Sequence, residues 1–186
     1  MSTHSRKAML ISLAVIVFIS IVYGSDSILT LRLVHPDHDK LAYIPPEQVN
    51  VDKSKYELFE KNGENYWISK KIELDIADMT DAQITVLTPP SKEDVERLSK
   101  EYPNTSFPLN PSYNVTITLN PKGREKFSIV TANNIRRRLA IIYNGKLLMA
   151  PIIMDRIDSG LMEVSTFSSY AEAKSLSDAI RSKSGK

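Results

Sequence analysis

Cysteine is absent from the chain. That excludes disulfide staples, thiolate nucleophiles and every zinc site built on sulfur ligands, so the fold must be held by an apolar core. Histidine is scarce too: of the three residues, His4 stands apart near the N-terminus, leaving only His35 and His38 in the body of the chain. The single tryptophan, Trp67, sits beside Tyr66. A lone indole next to a tyrosine reads as core packing, because rings of that size bury much surface. An excess of one charge sign is also missing, with 24 basic and 22 acidic side chains.

The longest uncharged apolar run, Ala8 to Tyr23, follows Arg6 and Lys7. It is longer than the usual core of a signal peptide and shorter than most spanning helices. Residues 1–24 therefore read as export machinery: a signal peptide cut after Gly24, or a signal anchor in which residues 8–23 stay in the inner membrane with the short N-terminus inside. Either way the rest of the chain is expected in the periplasm. Residues 25–186 then carry 22 basic and 22 acidic side chains. This neutral body lacks the basic balance of a nucleic-acid-binding domain.

What remains is enough chain for a core without staples. Ile28 to Val34 alternates as a half-buried strand should. His35 to Asp39, HPDHD, gathers two imidazoles and two carboxylates, a set with metal-ligand chemistry; its residue types equally suit a solvated loop after a strand. Leu41 to Asn65 reads as irregular or short edge strands, with Tyr56, Leu58 and Phe59 packing it down. Tyr66 to Leu74 is a strand, Thr80 to Ala82 a turn or short helix, and Gln83 to Thr88 a further strand. Ser91 caps a charged helix through Glu101. Pro103, Pro108 and Pro111 interrupt regular structure, which places a boundary at residue 112.

The second half has clearer grammar. Tyr113 to Leu119 alternates. Asn120 and Pro121 are N-cap and first-turn residues of a helix to about Arg136. Leu139 to Tyr143 and Lys146 to Ala150 flank Asn144-Gly145, the pair best suited to a type I′ hairpin turn. Pro151, with no amide proton, ends the second strand. Gly160 turns into a strand from Leu161 to Phe167. The last helix starts at Ser168 or Ser169, with a Ser169–Glu172 capping box and a buried stripe of Tyr170, Ala173, Leu176 and Ile180. The expected class is α+β: an antiparallel or mixed sheet with two helices on one face, preceded by a smaller strand-rich region and an N-terminal hydrophobic helix. The divisions are 1–24 (leader), 25–112 (strand-rich, one short helix), 113–183 (α+β subdomain) and 184–186 (frayed tail).

The segments VTITLNPKGREKF, TANN, RLAIIYNGKLLMAPII, DRIDSG and AEAKSLSDAI resemble the head subdomain in the first periplasmic domain of SecD, a membrane subunit of the bacterial Sec export system. The family's motif positions carry over as Gly123, Phe127, Thr131, Asn134, Leu139, Ala140, Gly145, Ala150, Pro151 and Gly160, all read as structural. Two glycines of the pattern are missing. One would precede the phenylalanine of the last strand, where Ser165-Thr166 stand. The other is replaced within Arg136-Arg137-Arg138. SecD continues into a proton-coupled membrane bundle, whereas this sequence stops at Lys186 and has no charged residue within its one apolar span. The resemblance implies a recognition part without a motor: a non-enzymatic module, with no cofactor or catalytic residue, that contacts polypeptide or an envelope protein, Sec components among them.

Two contacts are expected. Strand addition along Lys146 to Ala150 would hold an extended chain. Arg136, Arg137 and Arg138 read as a solvated helix end whose cations suit the helix dipole, or as a contact for an acidic partner or lipid headgroup. The alternatives are an exported metal protein or hydrolase using His35, Asp37, His38 and Asp39, and an architectural envelope protein.

Overall fold

The computed structural model describes residues 29–185; residues 1–24, where a leader and an N-terminal hydrophobic helix are expected, lie outside them. The elements in order are β1 (Leu29–Leu33), α1 (His38–Leu41), a 3-10 turn (Pro46–Gln48), β2 (Tyr56–Lys61), β3 (Glu64–Ser69), β4 (Leu74–Asp75), a second 3-10 turn (Ile76–Asp78) and β5 (Met79–Leu87). There follow α2 (Lys92–Glu101), β6 (Ser112–Leu119), α3 (Pro121–Asn133), β7 (Leu139–Tyr143), β8 (Lys146–Met149), β9 (Leu161–Phe167) and α4 (Tyr170–Lys183). The fold is α+β, and every strand pair is antiparallel.

The expected single sheet over residues 113–183 is not what forms. The described strands make three sheets, ordered β4-β1-β7-β8, β2-β3 and β5-β6-β9. The hairpin of β7 and β8 therefore lies in one sheet and its sequence neighbours β6 and β9 in another, and both larger sheets recruit strands from before residue 112. The cause is visible in β7, LAIIY, which is buried at all five positions. Alternate side chains of a strand point to opposite faces, so β7 needs apolar cover on both. Leu139, Ile141 and Tyr143 enter the main core with Leu31 of β1, Ile117 of β6, Phe127 of α3 and Leu176 of α4. Ala140 and Ile142 face the other way, into a second cluster with Val34, Tyr66, Ile68 and Leu147. β6 alternates Val115, Ile117 and Leu119 with half-exposed Thr116 and Thr118, so one covered face satisfies it.

Several local expectations change for similar reasons. Thr80 to Ala82 belongs to β5, and the helical turn comes just before it, where Asp75 and Asp78 form a capping box. The strand expected over Tyr66 to Leu74 stops at Ser69 and resumes at Leu74. α3 ends at Asn133 because Asn134 closes it and Arg136 turns left-handed at φ 69°. The Ser169–Glu172 capping box does not form; Glu172 faces Lys146 at 3.8 Å. In the α4 stripe Ala173, Leu176 and Ile180 are fully buried, but Tyr170 is half exposed and meets Tyr113 edge-on.

The start of α3 is the tightest joint. Asn120 Oδ1 accepts from the Gly123 amide at 2.8 Å, while its Nδ2 donates to the Ala77 carbonyl at 2.8 Å. Buried Asp78 accepts both short contacts of Lys126 Nζ, at 2.7 and 2.8 Å. A Cβ on Gly123 would fall 2.1 Å from the Asp78 carbonyl oxygen. Alanine would gain about 1 kcal/mol of helix propensity, but overpacking against backbone costs about 1–3 kcal/mol or more. Because the 2.1 Å contact is with backbone, the upper part of that range applies, and Gly123→Ala is expected to lower stability by about 1–2 kcal/mol net, read as a lower urea midpoint at unchanged slope.

Candidate functional site

β8 is an edge strand: β7 pairs one side of it and nothing among the described residues pairs the other. Its turn has the left-handed pair that a type I′ hairpin requires, Asn144 at φ 49° and Gly145 at φ 74°. Met149 ends the strand. Ala150 and Pro151 lie just beyond it, where the Pro151 carbonyl accepts from the Leu139 amide at 3.0 Å. Two concavities flank this edge. One is a groove of about 1190 Å³ between β2 and the β1-β7-β8 sheet, lined by Arg32, Glu57, Phe59, Lys61, Ile142 and Leu147 among others. The other is a pocket of about 330 Å³ between β8, β9 and the start of α4, lined by Lys61, Tyr143, Lys146, Leu148, Phe167 and Ser175 among others. Arg32 is ion-paired to Glu57, and the Tyr143 hydroxyl lies 3.0 Å from Ser175 Oγ.

Sequence reasoning missed β2 as the wall of that groove. The signal was present, since Asn62-Gly63 has the same left-handed pair, φ 54° and 78°, and connects β2 to β3 as Asn144-Gly145 connects β7 to β8.

The remaining motif positions hold the frame around this edge. Thr131 is fully buried; its Oγ1 donates back to the Phe127 carbonyl at 2.8 Å and accepts from the Ile157 amide at 2.9 Å, tying the 151–160 segment to α3. Asn134 Nδ2 donates to the Val130 carbonyl at 2.8 Å. Gly160, at φ 73°, gives its carbonyl to the Leu119 amide at 2.9 Å.

The three arginines diverge. Arg137 donates to Asn134 Oδ1 at 2.8 Å and to the Val34 carbonyl at 3.1 Å. Arg138 donates to the Ala150 carbonyl at 3.2 Å and approaches Asp39 at 3.8 Å. Arg136 is exposed. Its amide donates to the Ile153 carbonyl while the Arg137 carbonyl accepts from the Ile153 amide, both at 2.8 Å. Two residues thus oppose one, a bulge whose left-handed first position usually holds glycine, in the stretch where the head pattern has its glycine.

The HPDHD cluster does not converge on one point. His35 Nδ1 accepts from the Asp37 amide and the ring meets Tyr56 edge-on. Asp37 pairs with Lys40, and Asp39 turns toward Arg138. His38, expected in a solvated loop, begins α1, is 5% exposed and stacks on Tyr66 at 4.4 Å. Among the described residues no three His, Asp or Glu side chains are arranged to hold a metal. Glu64 accepts from the Tyr43 and Tyr66 hydroxyls at 2.5 and 2.6 Å, which hold its carboxyl below the usual range. Burial first, then this hydrogen bond, pushes Tyr66 up to about 12, so both partners keep the charge state the contact needs.

Residues 96–184 match the family model of the SecDF P1 head subdomain. SecD of Petrotoga mobilis is 35% identical over 68 residues, which cover 37% of this chain and 14% of that protein. SecDF of Thermus thermophilus is 39% identical over 68 residues, 37% of this chain and 9% of the relative; SecD of Desulfurispirillum indicum is 40% identical over 77 residues, 40% and 15%. The match thus spans at most 15% of these relatives' length. A solved structure of SecDF, described as a membrane component that enhances protein export, aligns over 84% of this chain and 62% of its own, with TM-score 0.52 and 22% identity. SecDF in a super-membrane-facing form aligns over 84% and 19%, with TM-score 0.53 and 22% identity. These structures share the fold. No helix of the described residues is long and apolar enough to cross a membrane.

Two outcomes follow from this geometry. A left-handed non-glycine residue costs roughly 1–2 kcal/mol, and glycine returns part of that as unfolded-state entropy. Arg136→Gly is expected to stabilise the chain by about 0.5–1 kcal/mol, seen as a higher urea midpoint. Burial, and next the Arg138 charge, lower the His38 pKa below its ordinary 6.5, so the folded state favours the neutral ring. The unfolded chain then binds the extra proton, and this contribution is complete above pH 6.5 and lost as pH falls through the lowered value. A stability profile from pH 8 to 5 is expected to decline below 6.5, and His38→Phe, which keeps the stack, to flatten that decline.

Proposed function

We propose that this chain, whose residues 96–184 are a SecDF-head-like subdomain, is a non-enzymatic binding module accessory to protein translocation, acting on the outer side of the bacterial inner membrane. Its work is to hold an extended polypeptide. The observation that carries this reading is the free edge of β8, unpaired on one side and flanked by a groove and a pocket. An incoming strand can complete such an edge through backbone hydrogen bonds that tolerate many sequences, as a factor serving diverse exported chains requires. The name and description of its relatives, SecD and a SecDF that enhances protein export, support the same setting, with Sec components as neighbouring partners.

Residues 8–23 keep the module at the inner membrane, or cleavage after Gly24 releases it to the periplasm. Arg136 serves as a second contact. Its guanidinium has no ion-pair or hydrogen-bond partner among the described residues, unlike those of Arg137 and Arg138, and it occupies a backbone position that disfavours it. Strain of this kind is retained mainly where a side chain has a use; here that is an acidic partner.

A photoreactive residue at Leu148, in cells exporting a tagged secretory polypeptide slowed in transit, is expected to crosslink to that polypeptide, and one at exposed Glu93 on α2 is not. Absence of the crosslink at Leu148, with the variant folded, overturns the reading.

A further inference from the structure

Resting on that reading, we infer that the β8 edge selects extended segments with two adjacent apolar residues beside an acidic one, because it stands between two concavities on opposite faces of one sheet. The register sets this out. Ile142 pairs with Leu147, and Tyr143 with Lys146. Ile142 and Leu147 line the groove; Tyr143 and Leu148 line the pocket on the other face, and Lys146, next to the turn, reaches both. A strand added beyond β8 continues the pleat, so its successive side chains point alternately to the two faces. One residue enters the groove against Phe59, Ile142 and Leu147, and its neighbour enters the pocket against Tyr143, Leu148 and Phe167. The pocket's 330 Å³ accommodates one large aliphatic or aromatic side chain.

Charge sets the third position. On β2, Glu57, Phe59 and Lys61 share one face by strand alternation, and Phe59 packs into the cluster beneath the groove. Glu57 is neutralised by Arg32, and Lys146 faces Glu172 at 3.8 Å. Lys61 lines both concavities and has no partner among the described residues. Glu60 also lines the groove, yet each lining keeps one more cation than carboxylates, Arg32, Lys61 and Lys146 against Glu57 and Glu60 in the groove and Lys61 and Lys146 against Glu172 in the pocket; this excess at the hairpin end favours a carboxylate there and disfavours a cation.

The test uses the full chain in detergent and fluorescent, otherwise Ser/Thr/Gly-rich peptides of equal length, followed by anisotropy. A peptide with Leu-Leu-Asp is expected to bind about tenfold more tightly than one with its leucines separated by a single residue, where both point to one face and one cavity stays empty. Replacing Asp by Lys is expected to weaken binding threefold to fivefold, and Lys61→Glu, a surface change compatible with folding, to reverse that preference. Affinities are read on the unsubstituted chain, and a separate variant with a photoreactive group at Leu148 reports only whether the peptides reach β8 at all. Crosslinking that is equal for every peptide, with affinities independent of spacing and charge, overturns the selection rule and leaves strand addition standing. Failure of every peptide to crosslink at Leu148 removes the strand-addition reading itself.

Discussion

Everything in this fold answers to the burial of β7 on both faces. Five consecutive apolar residues from Leu139 to Tyr143 cannot sit at the surface of a sheet. They draw β1 and β8 alongside as pairing partners, the main core beneath, and the β2-β3 hairpin above. Full burial of a side chain such as Ile142 contributes roughly 1.5–3 kcal/mol, so the arrangement outweighs any local preference of the hairpin to stay with β6 and β9. The groove is a by-product of the same demand. β2 and β3 must cover Ala140 and Ile142, yet β2 does not pair with β8, and a gap remains between them.

The frame that holds this edge steady is polar and closely fitted. Asp78, Asn120, Gly123 and Lys126 lock the start of α3 to the turn before β5. At the other end of α3, Thr131 and the bulge at Arg136 anchor the segment from Pro151 to Gly160. Both joints satisfy backbone groups that would otherwise be buried without partners, which is costly to a fold. They also explain why Gly123 and Arg136 meet different constraints. At Gly123 the opposing backbone leaves no room for a side chain. At Arg136 the restriction lies only in the dihedral angle, so a long side chain is tolerated at a modest cost in stability and reaches solvent.

Chemistry suggested by composition alone dispersed on folding. The four titratable residues of HPDHD lie within one short stretch, but the turn into α1 sends them to four neighbours, and His38 becomes a packed aromatic surface for Tyr66. Glu64, far from them in sequence, joins this neighbourhood because β3 passes beside α1. Proximity in sequence therefore overstated a ligand set, and the pair of tyrosines that does organise around a carboxylate could not be seen from spacing.

Read alone, the sequence determined the α+β class, the bounds of β6, β7 and β9 within a residue or so, the start of α3, and the Asn144-Gly145 turn, because these depend on neighbours within a few residues: alternation, capping and tolerance of positive φ. The resemblance to the SecD head was legible for the same reason, its motif residues being clustered. Tertiary structure alone decided which strands share a sheet. Pairing across about a hundred residues, as between Leu29 and Tyr143, is set by which apolar faces most need cover, a comparison that no local window contains. The exposed edge of β8, the two concavities beside it and the isolation of Lys61 all follow from that choice, so the surface offered to a partner became visible only once the sheets were assembled.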